Sequence, residues 1–191
     1  MSTVTVLGAG NMGSAIAGIV EKSGNTAQVL STGDAAQAVA GDIVVLAVPY
    51  PAVPQIITER GDELAGKIVV DITNPLNFET FDSLVVPADS SATAEIATAL
   101  PRSTVLKAFN TTFAATLAAG TIAGQPTTVL IAGDDADAKA RLAQIVTAAG
   151  LRPIDAGDLR RARELEAIGF LQITLAAAEK IAWTGGFAVQ A

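Results

Sequence analysis

The sequence predicts an α/β fold: a doubly wound, mostly parallel sheet with helices on both faces and a C-terminal helical segment. Three observations carry this expectation. Short β-branched runs alternate with alanine-rich helical windows along the chain, the order that βαβ units produce. Two of those runs, Ile43–Val48 and Lys67–Ile72, are almost continuously apolar, as strands covered on both faces must be. The first run ends in GAGNMG, with Gly8, Gly10 and Gly13 at G-x-G-x-x-G spacing ahead of a helical stretch. That strand–turn–helix context gives the spacing its meaning in a Rossmann-like fold.

The elements follow in order. Thr3–Leu7 is a strand that Gly8 ends. Met12–Ser23 is a helix that stops at Gly24. Ala27–Leu30 is the second strand and Asp34–Val39 a short helix. Ile43–Val48 is the third strand, closed by Pro49, and Pro51–Arg60 is a helix with proline in its first turn. Lys67–Ile72 is the fourth strand. Ala92–Leu100 is a helix with Ser91 at the N-cap position. Thr104–Phe109 and Thr127–Ala132 are strands. Ala136–Ala149 is a helix opened by Asp134-Asp135 and closed by Gly150. Leu151–Ile154 is the last strand and Leu159–Trp183 a long final helix. Its Leu165, Ile168, Leu171, Leu175, Ala178 and Ile181, or Ala182, form an apolar stripe that faces the sheet or a second copy of the chain. Residues 1–150 read as a dinucleotide-binding unit. Residues 151–191 read as a strand and long helix packed on it, at the interface of an expected homodimer.

Composition narrows the function. Half of the 191 residues are hydrophobic and 16% are charged, below the usual quarter, so much of the chain must be buried. The net charge of −7 argues against nucleic acid and anionic membrane surfaces as partners. It also means that a bound phosphate must be held locally, by backbone N–H groups or a few placed cations. The chain has no Cys and no His, which excludes thiol chemistry, the usual zinc sites and imidazole-based triads. Ile43–Ile57 is long and apolar but carries Pro49, Pro51 and Pro54, so it does not read as a membrane span. A cytoplasmic protein is the default expectation.

The glycine turn has a clear physical reading. Gly8 allows a tight exit from the strand, Gly10 lets backbone approach a pyrophosphate, and Gly13 lets the helix pack close to the sheet. Three other segments lie just past the carboxyl ends of strands, where open α/β sheets place their ligands. They are Pro49-Tyr50-Pro51, Thr73-Asn74-Pro75-Leu76 and Asn110-Thr111-Thr112. An NAD site usually carries an Asp or Glu about 20 residues beyond the glycines. Here the second strand ends in Leu30-Ser31-Thr32, with no acid. Ser31 and Thr32 can instead donate to phosphate oxygens.

Five segments, GAGNMGSAIA, LAVPYPAV, IVVDITNPLNF, VLKAFNTTFA and LRPIDAGDLRRARELE, resemble the NADP-dependent reductases of the deazaflavin coenzyme F420. The likeness covers nearly the whole chain, and most resembles the short bacterial dinucleotide-binding oxidoreductases of that family. The glycine turn also resembles that of pyrroline-5-carboxylate reductase, which needs a long helical second domain that this chain has no room for. The F420 reductase resemblance implies NADP(H) as cofactor and a small redox substrate, coenzyme F420 or a flavin. It implies that Gly8, Gly10, Asn11, Met12 and Gly13 hold the pyrophosphate, with Ser31 and Thr32 at the 2′-phosphate. Val48, Pro49 and Tyr50 would line the cofactor beyond it, and Thr73, Asn74, Pro75 and Leu76 would approach the nicotinamide. Phe109, Asn110 and Thr111 would form the wall on which the acceptor stacks. The chain departs from the family at Thr32, where an Arg is expected, and in the short segment before the third strand.

Proton donors are few: Tyr50, Lys107 and Asp71. Lys107 reads more readily as a snorkelling or ion-paired strand lysine, and Asp71 as a backbone-bonding residue. Hydride exchange between two flat rings needs alignment and exclusion of water more than acid–base help. The residues therefore favour an oxidoreductase with a planar acceptor and no catalytic side chain. The alternatives are an imine or carbonyl reductase that uses Tyr50 or Lys107, and a non-catalytic NADP sensor.

Overall fold

A computed structural model describes residues 2–189. Residues 1, 190 and 191, the ends of the two expected units, lie outside the described residues. In chain order the elements are β1 (Thr3–Leu7), α1 (Asn11–Lys22), β2 (Thr26–Leu30), β3 (Ile43–Leu46), α2 (Val53–Leu64), β4 (Ile68–Asp71), α3 (Ala92–Ala99), β5 (Thr104–Ala108), α4 (Ala114–Ala119), β6 (Thr121–Ile122), β7 (Gln125–Pro126), β8 (Thr128–Ala132), α5 (Ala136–Ala148), β9 (Arg152–Gly157) and α6 (Ala162–Ala177). Seven strands form one sheet in the order β2-β1-β3-β4-β5-β8-β9, and β6 and β7 form a separate hairpin. The pairings from β2 to β5 are parallel, β5 meets β8 antiparallel, and β8 pairs parallel with β9. The expected Rossmann-like, mostly parallel sheet is therefore present.

The strands alternate between two cores. Ile43 and Val45 of β3, with Ile68 and Val70 of β4, join Ile16, Ile19, Leu142 and Val146 on one face. Val44, Leu46 and Val69 join Val53, Leu64, Ile96 and Leu100 on the other. This two-sided burial is why those strands read as continuous apolar runs.

Four elements differ from the sequence expectation. The helix expected over 34–39 is a single 3-10 turn, Thr32–Asp34. The Arg60 guanidinium donates to the carbonyls of Asp34, Ala35 and Gln37 and holds the segment in that open turn. The final helix ends at Ala177 and Glu179 turns with φ +56°, so Trp183 lies beyond it. Its buried face is Ala162, Leu165, Glu166, Gly169, Gln172 and Ala176, while Leu171 of the expected stripe is 50% exposed. Third, α4 was not anticipated; it ends at Gly120 in the left-handed region, an ordinary helix stop. Last, the β6–β7 hairpin turns on Ala123 and Gly124, both at positive φ, a geometry in which Ala is an unusual choice.

The glycine turn stitches this fold together at one point. The Gly8 N–H donates to the Leu30 carbonyl at 2.8 Å, and the Ala47 N–H to the Leu7 carbonyl at 2.8 Å. Gly8 has φ +122°, and a Cβ there would lie 2.2 Å from the Ala47 carbonyl oxygen. A Cβ on Gly13 would lie 1.9 Å from the Gly8 carbonyl oxygen, whereas one on Gly10 would meet nothing within 4 Å. The packing demands the first and third glycines and not the second. Gly13→Ala is accordingly expected to destabilise the protein by about 2 kcal/mol or more through overpacking against backbone. Gly10→Ala should change stability by less than about 1 kcal/mol, the scale of an N-cap substitution. Urea unfolding of both variants checks the contrast.

Candidate functional site

The sheet changes direction of growth at β1: the chain leaves it for β2 on one side and returns to β3 on the other. Such a switch point opens a crevice at the carboxyl ends of the strands. The N-terminus of α1 faces it. Gly10 is the N-cap in extended conformation, with no side-chain cap bond, and the first turn carries no acid. The leading N–H groups and the helix dipole together make a site that favours an anion. Asn11 is exposed and Met12 half-buried at that end.

A cavity lies on each side of the turn. One, about 300 Å3, is bounded by Gly8, Gly10, Ser31, Thr32, Val48 and Arg60. The other, about 420 Å3, is bounded by Asn11, Met12, Asn74, Asn110, Phe113 and Trp183. The glycine turn and the loops after β2, β3, β4 and β5 thus meet around one groove.

At the first cavity the sequence reading needs a correction. An acid does return to the end of β2. Asp34 folds back so that its carboxylate accepts from the Ser31 hydroxyl at 2.7 Å and the Ser31 N–H at 2.9 Å. The Ser31 hydroxyl hydrogen is therefore committed, and only Thr32 keeps a hydroxyl free to donate outward. The Ser31 hydroxyl, its amide and the nearby Arg60 charge hold the Asp34 carboxyl below its usual range. Pro49 is exposed and Tyr50 half-buried, and neither bounds the two cavities. The Tyr50 hydroxyl donates to Glu95. Burial first, then the Glu95 bond and the Glu95, Glu166 and Asp71 charges, push its ionisation up from the ordinary tyrosine value. Such a phenol is a poor proton donor near neutral pH.

At the second cavity Asn74 and Asn110 clasp each other. The Asn110 side chain donates to Asn74 Oδ1 and to the Leu165 carbonyl, each at 2.9 Å, and the Asn74 side chain donates to the Asn110 carbonyl at 3.0 Å. Gly169 of α6 admits this pair, since a Cβ there would lie 2.2 Å from Asn74 Oδ1. Asn110 Oδ1 and Thr73 Oγ1 are buried and have no hydrogen-bond partner among the described residues. Pro75 and Leu76 are buried, and Leu76 bridges to Leu84.

Two residues expected on the acceptor wall point elsewhere. Phe109 is 2% exposed and belongs to the core, with φ +63°, a strained position for a bulky residue. That twist carries Asn110 toward the cavity. Thr111 turns to a small hollow that it shares with Thr116, Thr127, Thr128 and Gln172. In their place stand Thr112, Phe113, Phe78, Ile173 and Trp183. The Phe113 and Trp183 rings pack 4.9 Å apart. Phe113 sits two residues beyond Thr111 in the same loop and could have been reached by extending the segment. Trp183 carried no usable signal, because it reads as part of the last helix.

Lys107 and Asp71 do not reach the groove. Lys107 is fully buried and donates to Asp71 Oδ2 at 2.8 Å, to Glu166 Oε1 at 3.0 Å and to the Thr73 carbonyl. Asp71 also accepts from the Thr73 N–H at 2.8 Å and the Thr93 hydroxyl at 2.7 Å. Glu166 accepts from the N–H groups of Ala92 at 3.0 Å and Thr93 at 3.3 Å, at the start of α3. Sequence reasoning missed Glu166, which sits among exposed charges in LRRARELE. This cluster supports the groove floor from below. Lys107→Met leaves two carboxylates buried without their cation and should destabilise the protein by about 3–5 kcal/mol, read by urea unfolding.

Comparison with known proteins agrees with this architecture. The family model described as NADP oxidoreductase, coenzyme F420-dependent, matches residues 20–75. The F420-dependent NADP reductase of Methanocaldococcus jannaschii is 32% identical over 173 residues, covering 87% of this chain and 76% of that one. The metalloreductase STEAP3 of Rattus norvegicus is 41% identical over 107 residues, 56% of this chain; the match spans only 21% of that longer protein. A solved structure of a proposed F420-dependent NADP reductase from Arthrobacter sp. FB24 superposes with a TM-score of 0.84 at 27% identity, with 100% of both chains covered. No helix among the described residues is long and apolar enough to cross a membrane. With that sequence identity and coverage added to the switch-point groove, the chain belongs to the F420-dependent NADP reductase family of NAD(P)-dependent oxidoreductases.

Proposed function

We propose that the protein passes hydride between NADP(H) and a planar redox acceptor, a deazaflavin such as coenzyme F420 or a flavin, in the groove above β1, β3, β4 and β5. The observation that carries this reading is Gly10. The packing gives no reason for glycine there, since a Cβ would meet nothing within 4 Å, yet the residue caps a helix whose first N–H groups are open. A pyrophosphate drawn against that backbone supplies the reason.

In this reading Gly8, Gly10, Asn11, Met12 and Gly13 cradle the pyrophosphate. Ser31 and Thr32 flank the adenosine ribose, and Val48, Pro49 and Tyr50 border the path between. Thr73 to Leu76 form the floor under the nicotinamide. The acceptor wall is Asn110 with Thr112, Phe113 and Trp183, in place of Phe109 and Thr111. NADPH supplies the hydride when bound. The chain supplies alignment: the Asn74–Asn110 pair fixes the floor. The Phe113–Trp183 pair offers an aromatic face to a flat ring and keeps water out. No side chain in the groove is set to give or take a proton, because Lys107 is sealed and Tyr50 is tied to Glu95.

The exposed Leu171, with half-buried Ile168 and Leu175, leaves an apolar strip on α6. It supports a homodimer, to be checked by light scattering. The acidic, Cys-free chain suits a cytoplasmic setting.

Two outcomes test the function. Gly10→Val should remove NADP binding in calorimetry while the variant keeps the wild-type unfolding transition; unchanged affinity contradicts the reading. With NADPH and a deazaflavin or flavin acceptor, kcat should vary less than about threefold between about pH 6 and pH 8, and Tyr50→Phe should stay within about threefold of wild type. Burial and Glu95 raise the tyrosine ionisation, so the phenol stays protonated across that range and contributes no titration. A loss of about 100-fold in Tyr50→Phe would instead assign a proton donor and a carbonyl or imine substrate.

A further inference from the structure

We propose that Arg60 is the residue that gives this site its preference for a 2′-phosphorylated dinucleotide. The proposal rests on the dinucleotide reading above and goes beyond it, because Arg60 comes from α2 and not from the turn after β2, where an adenosine phosphate is usually read.

The cavity at the end of β2 lies on the adenosine side of the glycine turn. Arg60 is the only Lys or Arg among the residues that bound it. A dianionic phosphate in a chain of net charge −7 needs such a cation. The other charges nearby are carboxylates. Glu59 bounds the same cavity, and Asp34 is folded against Ser31. Without Arg60, the charged groups of this cavity would all be acidic.

The guanidinium is also held in place. Its Nη2 donates to the carbonyls of Asp34 at 2.9 Å and Ala35 at 3.2 Å, and its Nη1 to the carbonyl of Gln37 at 2.9 Å and to Glu63 at 3.2 Å. The Arg60 side chain is 10% exposed. Three of those four partners are neutral carbonyls and the fourth is the Glu63 carboxylate, so the guanidinium is fixed in position with its four Nη hydrogens engaged. The Nε–H has no hydrogen-bond partner among the described residues. One side chain thus replaces the helix expected after Asp34 and presets a cation beside Thr32, whose hydroxyl is free to donate.

The test separates the adenosine end from hydride transfer by using fragments. Binding of 2′,5′-ADP and 5′-AMP is measured by calorimetry at one fixed salt concentration for wild type, Arg60→Met and Arg60→Lys. Arg60→Met should weaken 2′,5′-ADP at least about tenfold and leave 5′-AMP within about twofold, since a charge-assisted bond is lost only with the phosphate. Arg60→Lys keeps the charge but not the carbonyl clamp, and should retain most of the preference. Equal loss of both fragments, or Arg60→Lys falling as far as Arg60→Met, would make Arg60 a clamp alone and overturn the proposal. Unchanged 2′,5′-ADP affinity in Arg60→Met overturns it as well. If wild type binds 5′-AMP but not 2′,5′-ADP, this proposal fails while the dinucleotide reading stands. If it binds neither, both fail.

Discussion

The buried ammonium of Lys107, held between Asp71 and Glu166, is the interaction on which the rest of the structure depends. It joins the end of β4, the end of β5 and the C-terminal helix α6. Two carboxylates and one ammonium leave the cluster with excess negative charge. Other donors answer it: the first N–H groups of α3 meet Glu166, and the Thr93 hydroxyl and the Thr73 N–H meet Asp71. An acid from a distant helix thus complements the positive end of α3. Removing one partner from such a set leaves an uncompensated buried charge, so its members specify one another.

That cluster sets the shape of the groove above it. Lys107 takes the Thr73 carbonyl and Asp71 the Thr73 N–H, which fixes the backbone immediately before Asn74. On the next strand, Phe109 is held in a left-handed conformation that costs about 1–3 kcal/mol. Its buried ring and the bond from Asn110 to the Leu165 carbonyl hold it there. The two asparagines then meet across Gly169, the one residue of α6 without a side chain at that point. The result is a site carried on strand ends and supported by a buried polar layer, the arrangement that precise alignment of two rings requires.

The sequence made much of the fold legible because the two-sided burial of β3 and β4 leaves continuous apolar runs, and because close backbone contact forces glycine at 8 and 13. It did not reveal α6 correctly. There the apolar periodicity and the buried face disagree, since Glu166 and Gln172 face inward and Leu171 faces out. Polar satisfaction with distant partners outweighed the hydrophobic pattern, and distant partners leave no local signal. Asp34 escaped notice for a related reason: its role depends on folding back to Ser31 and on a guanidinium from α2. At the site, the glycine turn and the Asn74 and Asn110 loops were visible as strand-end punctuation. The inward turn of Phe109 was not, because a positive φ on phenylalanine has no sequence signature, and Trp183 reached the cavity only through the early end of α6.

In the proposed reading the site aligns rather than titrates, and direct hydride passage is its central claim. The measurement that tests it most directly follows the label. NADPH deuterated in turn at each of the two C4 positions is reacted in ordinary water with a deazaflavin, whose reduced carbon retains the hydrogen it receives. Direct transfer predicts that one of the two labels arrives in full on that carbon. Loss of both labels to solvent, or reduced acceptor that carries hydrogen from water at that carbon, would contradict it.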